Sequence, residues 1–372
     1  MTHNNLAQNE RIYPRQIAFA AAFLLPAAKL LEVPSLLAKY AEGDLLLPAL
    51  LHFLIQALVL TGLLYAASKS EIPLIQRMKN SLGKGMIAVY IVYALYFLFA
   101  VALPILDLEK FVYAAFFDTA PTTFAFSLFF LLSAYLCTKG IKSIGRVADL
   151  CLFLFLVPFL ALVVMSLVAT DFSALLPLFS TKFFRSAEAF ERTLPQFSDA
   201  VLLLPLIGHC RYKQGDGKKI LGGYAVGAAC TLLFLAVFYG VYSSIAPREH
   251  YAFSKIAQYF PALDVIGRID LLFVYFLSVV LFFYTCLPLQ YTTNLLADAI
   301  GTKRKTWLSA TLNFVLFVLV LFLNNHYDRF YAVIGGKLFW VFLLFADLLP
   351  LLVLLLPTDR NKEVTHAQPT QP

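Results

Sequence analysis

The sequence predicts an all-α polytopic membrane protein with ten transmembrane helices, and its composition and the spacing of its apolar runs lead to that fold class. Of the 372 residues, 60% are hydrophobic and only 14% are charged, whereas soluble domains carry about 25% charged residues. Mean hydropathy is +0.78. The apolar residues form runs of roughly 20, the length of a helix that crosses a bilayer.

Ten such runs divide the chain. The predicted spans are approximately residues 15–38, 45–67, 85–106, 121–138, 146–169, 194–210, 219–245, 264–297, 306–325 and 333–357. They predict a tail at residues 1–14, a transmembrane domain at 15–357 and a second tail at 358–372. Residues 170–194 and 246–263 are then the two long loops on one side of the membrane.

The distribution of basic residues predicts the orientation. Well over half of the 29 lysines and arginines fall in the tails and in alternate short loops, and such segments face the cytoplasm. Both tails are therefore predicted to be cytoplasmic and the two long loops external. The net charge of +7 is spread over many short loops and forms no single patch, which argues against a nucleic-acid partner.

The first span carries two charges between two prolines. Lys29 and Glu32 lie between Pro26 and Pro34 in the run IAFAAAFLLPAAKLLEVPSLL. A charge at the bilayer centre costs roughly 2.5 to 3.5 kcal/mol, and proline interrupts the hydrogen bonds of a helix. The pattern predicts a discontinuous helix beside a polar cavity, with unwound backbone near residues 26–28.

Lys29 has two interpretations. In a continuous helix it shares a face with Glu32, so the two side chains can form a structural ion pair. Alternatively, Lys29 supplies a fixed positive charge beside a ligand. The spacing does not decide between these two roles.

The sixth span contains a second polar interruption, Gln196-Phe197-Ser198-Asp199. Asp199 precedes an apolar run, so it is either the cap of a helix or a functional acid at a broken helix. Asp347, isolated among leucines in the tenth span, is a functional candidate by its depth. His52 and Gln56, four residues apart in the second span, are predicted to form hydrogen bonds between helices.

Catalytic and metal sites are not indicated. The sequence contains no P-loop, GxGxxG, HExxH or GxSxG motif, so we expect no enzyme activity and no cofactor. The five cysteines lie in or beside apolar runs without a CxxC pattern, which favours packing over metal binding. Any transport by this chain is expected to be secondary or channel-like.

Several segments resemble one known family. IYPRQIAF and LLEVPSLLAKYAEGD resemble its first span, Lys139-Gly140-Ile141 its connection before span five, LPQFSDAVLLLPLIGH its break in span six, and VIGRIDLLFVYFLSVVLFFY its eighth span. Together they resemble the spore germination receptor B-subunit family, permease-like proteins of the amino acid–polyamine–organocation superfamily. The resemblance covers roughly residues 11–357.

The resemblance implies a LeuT-like fold, in which two inverted repeats of five helices have discontinuous helices 1 and 6. A ligand site then lies between the two breaks. The residues at matching positions are Pro26, Ala27, Ala28 and Lys29 in the first break and Phe197, Ser198 and Asp199 in the sixth. Glu32 and Asp347 are candidates for a charge pair or a proton relay. The family's first break is commonly glycine-rich, and Lys29 is a departure from it.

The resemblance also implies a function. The leading hypothesis is a membrane subunit of a nutrient germinant receptor that binds a small amino acid-like ligand at the bilayer midplane. Its partners would then be A-type and C-type receptor subunits and membrane lipid, in the spore inner membrane or the bacterial cytoplasmic membrane. The alternatives are a stand-alone, proton-coupled secondary transporter of amino acids, and a subunit that only scaffolds a complex.

Overall fold

The protein is described from a computed structural model. The described residues are 12–69, 74–116, 127–177, 179, 181–210, 212–213, 215–258, 270–302, 304–334, 341, 348 and 351. Asp347, most of the predicted tenth span, nearly all of the N-terminal tail and the whole C-terminal tail lie outside these residues.

The described part of the chain is built from α-helices. They are α1 (Pro14–Lys29), α2 (Val33–Ala41), α3 (Leu46–Ser68), α4 (Leu74–Leu82), α5 (Met86–Phe116), α6 (Ser127–Leu136), α7 (Ile141–Leu167), α8 (Phe183–Thr193), α9 (Asp199–Ile207), α10 (Asp216–Tyr242), α11 (Ala252–Gln258), α12 (Asp270–Ile300), α13 (Lys305–Asn324) and α14 (Tyr327–Ile334). Short 3-10 segments join several of them, among them Leu194–Phe197 between α8 and α9.

Most of the membrane spans that hydropathy predicts correspond to long apolar helices in the structure. Within the described residues, six helices are long and apolar enough to cross a bilayer, and α1 and α2 together pass the same test as a pair bent by 61°. The predicted fourth span is represented by α6, an apolar helix of ten residues, and the sixth by the nine residues of α9. The total of ten spans stays a prediction.

The first span is broken, but not where the sequence analysis placed the break. Pro26 lies inside α1, which continues to Lys29, and the chain leaves the helix at residues 30–32. Pro34 sits in the first turn of α2, where the N–H that proline lacks would have no partner within the helix. The helix therefore restarts just before Pro34, and residues 26–29 remain helical.

The carbonyl groups freed at this break are bound by another segment. Leu30 O accepts a hydrogen bond of 3.0 Å from Phe253 N, and Leu31 O accepts one of 3.0 Å from Ala252 N. These donors are the first amides of α11, which have no acceptor within their own helix. The first amides of α11 thus supply hydrogen-bond donors to the carbonyl groups at the break between α1 and α2.

The loop predicted at residues 170–194 is partly helical. Residues 183–193 form α8, which packs against α2 and α3 and leads through Leu194–Phe197 into α9. The sequence analysis missed α8 because its residues are polar on one face, which lowers its average hydropathy. The sixth span is therefore preceded by a helix and broken at residues 194–198.

Two glycines allow α10 to pack closely on α1. A Cβ atom at Gly223 would overlap the carbonyl oxygen of Ala18, and one at Gly227 would lie 2.6 Å from the carbonyl oxygen of Ala21. Both obstacles are backbone atoms, so side-chain rotation cannot relieve the overlap. The closeness of these two helices depends on the missing side chains.

We expect Gly223→Ala to destabilise the protein, because α1 and α10 must separate to admit the methyl group. Overpacking of this kind costs about 1–3 kcal/mol. The matched control is Gly222→Ala on the same helix, where an added Cβ meets no atom within 4 Å. It should be neutral or slightly stabilising, since alanine favours helix by about 1 kcal/mol. Thermal unfolding midpoints in detergent measure both, and equal midpoints would show that the close approach contributes nothing.

Candidate functional site

The two broken spans meet in a buried ion pair. The ammonium of Lys29, at the end of α1, lies 2.5 Å from Oδ1 of Asp199, the first residue of α9. It also donates to Leu25 O at 3.2 Å. The side chain of Lys29 is 0% exposed and that of Asp199 is 3% exposed. Sequence analysis singled out both residues, and the structure brings them into direct contact.

Aromatic rings enclose this pair. The Lys29 ammonium lies 5.0 Å from the ring centre of Phe197 and 5.9 Å from that of Phe53, and a ring face attracts a cation. The hydroxyl of Tyr224 donates to Asp199 Oδ2 at 3.3 Å. Phe53 and Tyr224 were not among the predicted site residues, because nothing in their local sequence distinguishes them from packing aromatics.

Residues of α3 satisfy the sixth break. Gln56 Oε1 accepts a hydrogen bond of 3.0 Å from Ala200 N in the first turn of α9. His52 Nε2 lies 3.0 Å from Phe190 O and 3.1 Å from Thr193 Oγ1 at the end of α8, and its ring stacks on Phe197 with centroids 4.4 Å apart. The prediction that His52 and Gln56 join helices by hydrogen bonds is confirmed.

Two local interpretations of the charged residues are wrong. Lys29 pairs with Asp199 and not with Glu32, because the helix ends between Lys29 and Glu32 and no longer holds them on one face. Glu32 instead lies 3.0 Å from Nδ1 of His250. Asp199 does not cap α9: Ser198 is the N-cap residue, without a side-chain bond, and the Asp199 carboxylate turns to Lys29 and Tyr224.

Beside the ion pair lie two small cavities of about 30 Å³ each, which we call the chamber. Both touch Ala100, Pro195 and Tyr284, so they adjoin between α5, the sixth break and α12. Ala28 contributes to the wall of one and Ser198 to the wall of the other. The chamber therefore lies between the two breaks, in the place that the family resemblance implies for a ligand.

The other predicted site residues do not line the chamber. Ala27 and Phe197 are fully buried, and Pro26 lies inside α1 against Gly227 of α10. Lys29 and Asp199 form the ion pair. Of the seven residues carried over from the family, Ala28 and Ser198 line the described cavities. The remaining five lie next to these two in the chain and do not line the described cavities.

A larger cavity of about 300 Å³ lies on the predicted external side, and we call it the vestibule. Its walls include Glu32, Lys39, Arg192, His250 and Tyr327. Glu32 lines both the vestibule and the chamber. This residue therefore forms the partition between the two cavities.

A second carboxylate stands at the same partition. Asp107 of α5 lines the chamber and accepts a hydrogen bond of 2.7 Å from the hydroxyl of Tyr327, which lines the vestibule. The ammonium of Lys110 lies 3.4 Å from the ring centre of Tyr327. Sequence analysis missed Asp107 because it ended the third span at residue 106, whereas α5 continues to Phe116. The sequence signal that could have identified Asp107 is an acidic residue directly after the end of a predicted span.

No cluster of three or more His, Cys, Asp or Glu side chains suited to a metal ion occurs among the residues that the structure describes. The arrangement supports binding of a small ligand between two helix breaks, with fixed charges nearby.

A search of solved structures identifies the class of fold. The chain resembles a Na⁺-coupled sialic acid symporter, solved in a substrate-bound, outward-open state, with a TM-score of 0.57. Sequence identity is 13%, and the match covers 94% of this chain and 82% of the symporter. At that identity the likeness shows the fold alone, which is the LeuT-like fold of membrane transporters. No curated protein sequence matches the chain.

A family model identifies the family to which this chain belongs within that class of fold. The model for spore germination proteins of the permease type matches residues 11–329. The chain belongs to this spore germination protein family. It is a multi-pass membrane protein of the permease type, as the sequence resemblance predicted.

We expect Lys29→Met and Asp199→Leu each to destabilise the protein, since each leaves the partner as a buried, unpaired charge. Loss of one partner of a buried pair typically costs about 3–5 kcal/mol. The double variant should regain most of the loss, because apolar residues of similar volume leave no charge to compensate. Thermal unfolding of the single and double variants measures this, and additive losses would contradict a direct ion pair.

We expect the pKa of His250 to depend on Glu32. His250 lies outside the membrane-spanning helices, and its hydrogen bond to the Glu32 carboxylate raises its pKa above 6.5, with Glu249 adding a smaller effect. The protonated imidazole pairs with Glu32, so the contact is fully present below pH 6.5 and is lost as pH rises through the raised pKa.

Glu32→Gln should lower the pKa of His250, as measured by NMR titration of histidine-labelled protein. Glu249→Gln, next to His250 in the chain, is the matched control and should lower the pKa less. A pKa unchanged in Glu32→Gln would show that the two side chains do not interact in the membrane-embedded protein.

Proposed function

We propose that this protein is the membrane subunit of a nutrient germinant receptor and that it binds a small amino acid-like ligand in the chamber. The observation that carries the proposal is the meeting of both broken spans at Lys29 and Asp199, beside two adjoining cavities, one lined by Ala28 and the other by Ser198. Membership of the spore germination family supports the biological role.

The chemistry of the chamber suits a small ligand that carries polar groups. Each of its two cavities has a volume of only about 30 Å³, so a ligand must be small or must displace wall residues on binding. Gln196, Ser198, Asp107 and Glu32 contribute polar or charged groups to its walls. Because Asp199 neutralises Lys29, a ligand meets a balanced ion pair behind the wall and not an isolated positive charge.

The proposal includes the setting of the protein. Both tails face the cytoplasm, which places the vestibule on the external side of the spore inner membrane or the bacterial cytoplasmic membrane. A-type and C-type receptor subunits are its protein partners, and membrane lipid surrounds it. The basic residues of the tails and short loops support this orientation.

Filling the chamber tests ligand binding. We expect at least one proteinogenic L-amino acid to raise the thermal unfolding midpoint of the purified, full-length protein, since a ligand at 100 times its Kd stabilises by about 2.7 kcal/mol. Ala100→Leu, which adds three carbons between the two cavities, should remove that response.

The matched control is Ala88→Leu, the same change at an exposed position of the same helix, and it should keep the response. If no amino acid raises the midpoint of the unmodified protein, the proposed ligand class is wrong and a scaffolding role is favoured. If the response survives Ala100→Leu, the ligand binds elsewhere.

A stand-alone, proton-coupled amino acid transporter is the second candidate. The observation that favours it is the pair of carboxylates, Glu32 and Asp107, on the partition between vestibule and chamber, where an acid can exchange a proton along the ligand path. The fold is one that membrane transporters use, and a similar solved structure is a symporter. Uptake of a labelled, stabilising amino acid into proteoliposomes that contain only this chain would support transport, and binding without uptake would support sensing.

A further inference from the structure

Six apolar side chains between residues 168 and 184 project away from the protein. Phe183 and Phe184, the first two residues of α8, are 87% and 81% exposed, and Phe179 is 74% exposed. We call the six residues the apolar rim, and the other three members are Val168, Phe172 and Leu176. A group of exposed apolar side chains marks a surface that contacts a membrane or another protein.

The rim is held around one short turn of the chain, Glu42–Asp44, which lies between α2 and α3. The carboxylate of Asp44 accepts a hydrogen bond of 2.6 Å from Phe179 N and one of 2.7 Å from Thr181 N. The 3-10 segment Phe172–Leu175 contacts the same turn. Early and late members of the rim are therefore fixed beside each other and do not lie on separate loops.

The backbone at Phe179 adopts an unfavourable conformation. Its φ angle is +62°, in the left-handed region where bulky residues are uncommon. Conformations of this kind persist only where the surroundings enforce them, and they concentrate at binding sites. The two hydrogen bonds to Asp44 enforce this one. Because the enforced conformation leaves the Phe179 ring exposed, it points to a role for this ring in contact with something outside the chain.

Neighbouring helices set the level of the rim along the membrane normal. Asp171 N, next to Phe172, donates a hydrogen bond of 3.0 Å to Gly240 O, and Gly240 lies in the last turn of the spanning helix α10. Asp44, which binds Phe179, lies two residues before the spanning helix α3. The rim is therefore level with the ends of two spans, where the hydrocarbon core of a bilayer meets its headgroups.

The lipid-facing surface of the spans continues into the rim. Towards its end, α7 exposes Leu160, Val164 and Leu167, and Val168 of the rim follows directly. On the other side, α3 exposes Leu47 in its first turn. Both helices are long and apolar enough to cross the membrane, so these side chains face acyl chains. Fluid lipid also closes around rings that protrude singly, whereas a protein partner needs a matching pocket for each. Both arguments favour lipid as the occupant.

We propose that the apolar rim is a membrane-docking surface, which inserts into the leaflet at this end of the spans. Phe179, Phe183 and Phe184 then enter the boundary between headgroups and acyl chains, to the depth of about 5–10 Å at which apolar faces lie in that boundary. Lys182, which is exposed beside them, reaches the lipid phosphates with its ammonium group. Since the proposal involves lipid alone and no amino acid ligand, it and the proposed function can fail independently.

Depth-dependent quenching of tryptophan fluorescence tests the proposal. The two native tryptophans, Trp307 and Trp340, are first replaced by phenylalanine in the full-length protein. Phe179→Trp, Phe183→Trp and Phe184→Trp are then introduced one at a time, and each protein is placed in phosphatidylcholine nanodiscs. Lipid brominated near the carbonyl end of its acyl chains should quench each variant about twofold or more strongly than lipid brominated near the methyl end, because the rim lies at the boundary.

Two control positions define the limits of the scale. Phe153→Trp, at an exposed position near the middle of α7, should be quenched most by bromine near the methyl end. Arg248→Trp, at an exposed charged position before α11, should be quenched by aqueous iodide and little by either lipid. The rim variants should be quenched by iodide clearly less than Arg248→Trp.

Two results would overturn the proposal. Quenching of the rim variants by iodide as strong as that of Arg248→Trp, without quenching by brominated lipid, would place the rim in water. Protection from both quenchers would show that a second copy of the chain covers the rim. Each substitution replaces one exposed aromatic ring by another, and unchanged unfolding midpoints verify that the variants are folded. The three rim positions are independent readings, so the test remains decisive if one variant fails to fold.

Discussion

The architecture depends on one buried ion pair. Lys29 and Asp199 are 170 positions apart in the chain, and their 2.5 Å contact joins the ends of the two broken spans. An ammonium group that is withdrawn from water must be compensated by an opposite charge and by hydrogen bonds. Asp199, the Leu25 carbonyl and the rings of Phe53 and Phe197 supply that compensation in a single arrangement. The position of the chamber follows, because its walls are the residues on either side of this contact.

The broken helices are stable because other segments complete their backbone hydrogen bonds. A break within a membrane is tolerated only where its polar groups are satisfied by protein or by water. At the first break the amides of Ala252 and Phe253 bind the free carbonyls, and at the sixth the Gln56 side chain accepts from Ala200 N. One consequence is mechanical. Since α11 is bonded to the break, and His250 just before it contacts Glu32, this segment and the break must move together or separate at a cost of several hydrogen bonds.

Much of this fold could be predicted from the sequence, but the partners within the site could not. Hydropathy located most spans, and charge within apolar runs identified Lys29 and Asp199. Local spacing paired Lys29 with Glu32, because spacing carries no information about contacts between distant segments. Two prolines marked the first break, but Pro26 lies inside α1 beside Gly227 of α10, and the helix ends before Pro34, at residues 30–32. Asp107 was missed because a hydropathy window ends at a charge, whereas α5 continues past it.

Glu32 lines both the vestibule and the chamber, so the side chain that pairs with Glu32 affects the boundary between these cavities. At present its carboxylate contacts His250, and the same segment of chain caps the break through Ala252 and Phe253. Protonation of His250 strengthens this contact, and deprotonation weakens it, while the backbone bonds to Leu30 and Leu31 remain. The partition is thus the place where pH acts on the segment that covers the first break.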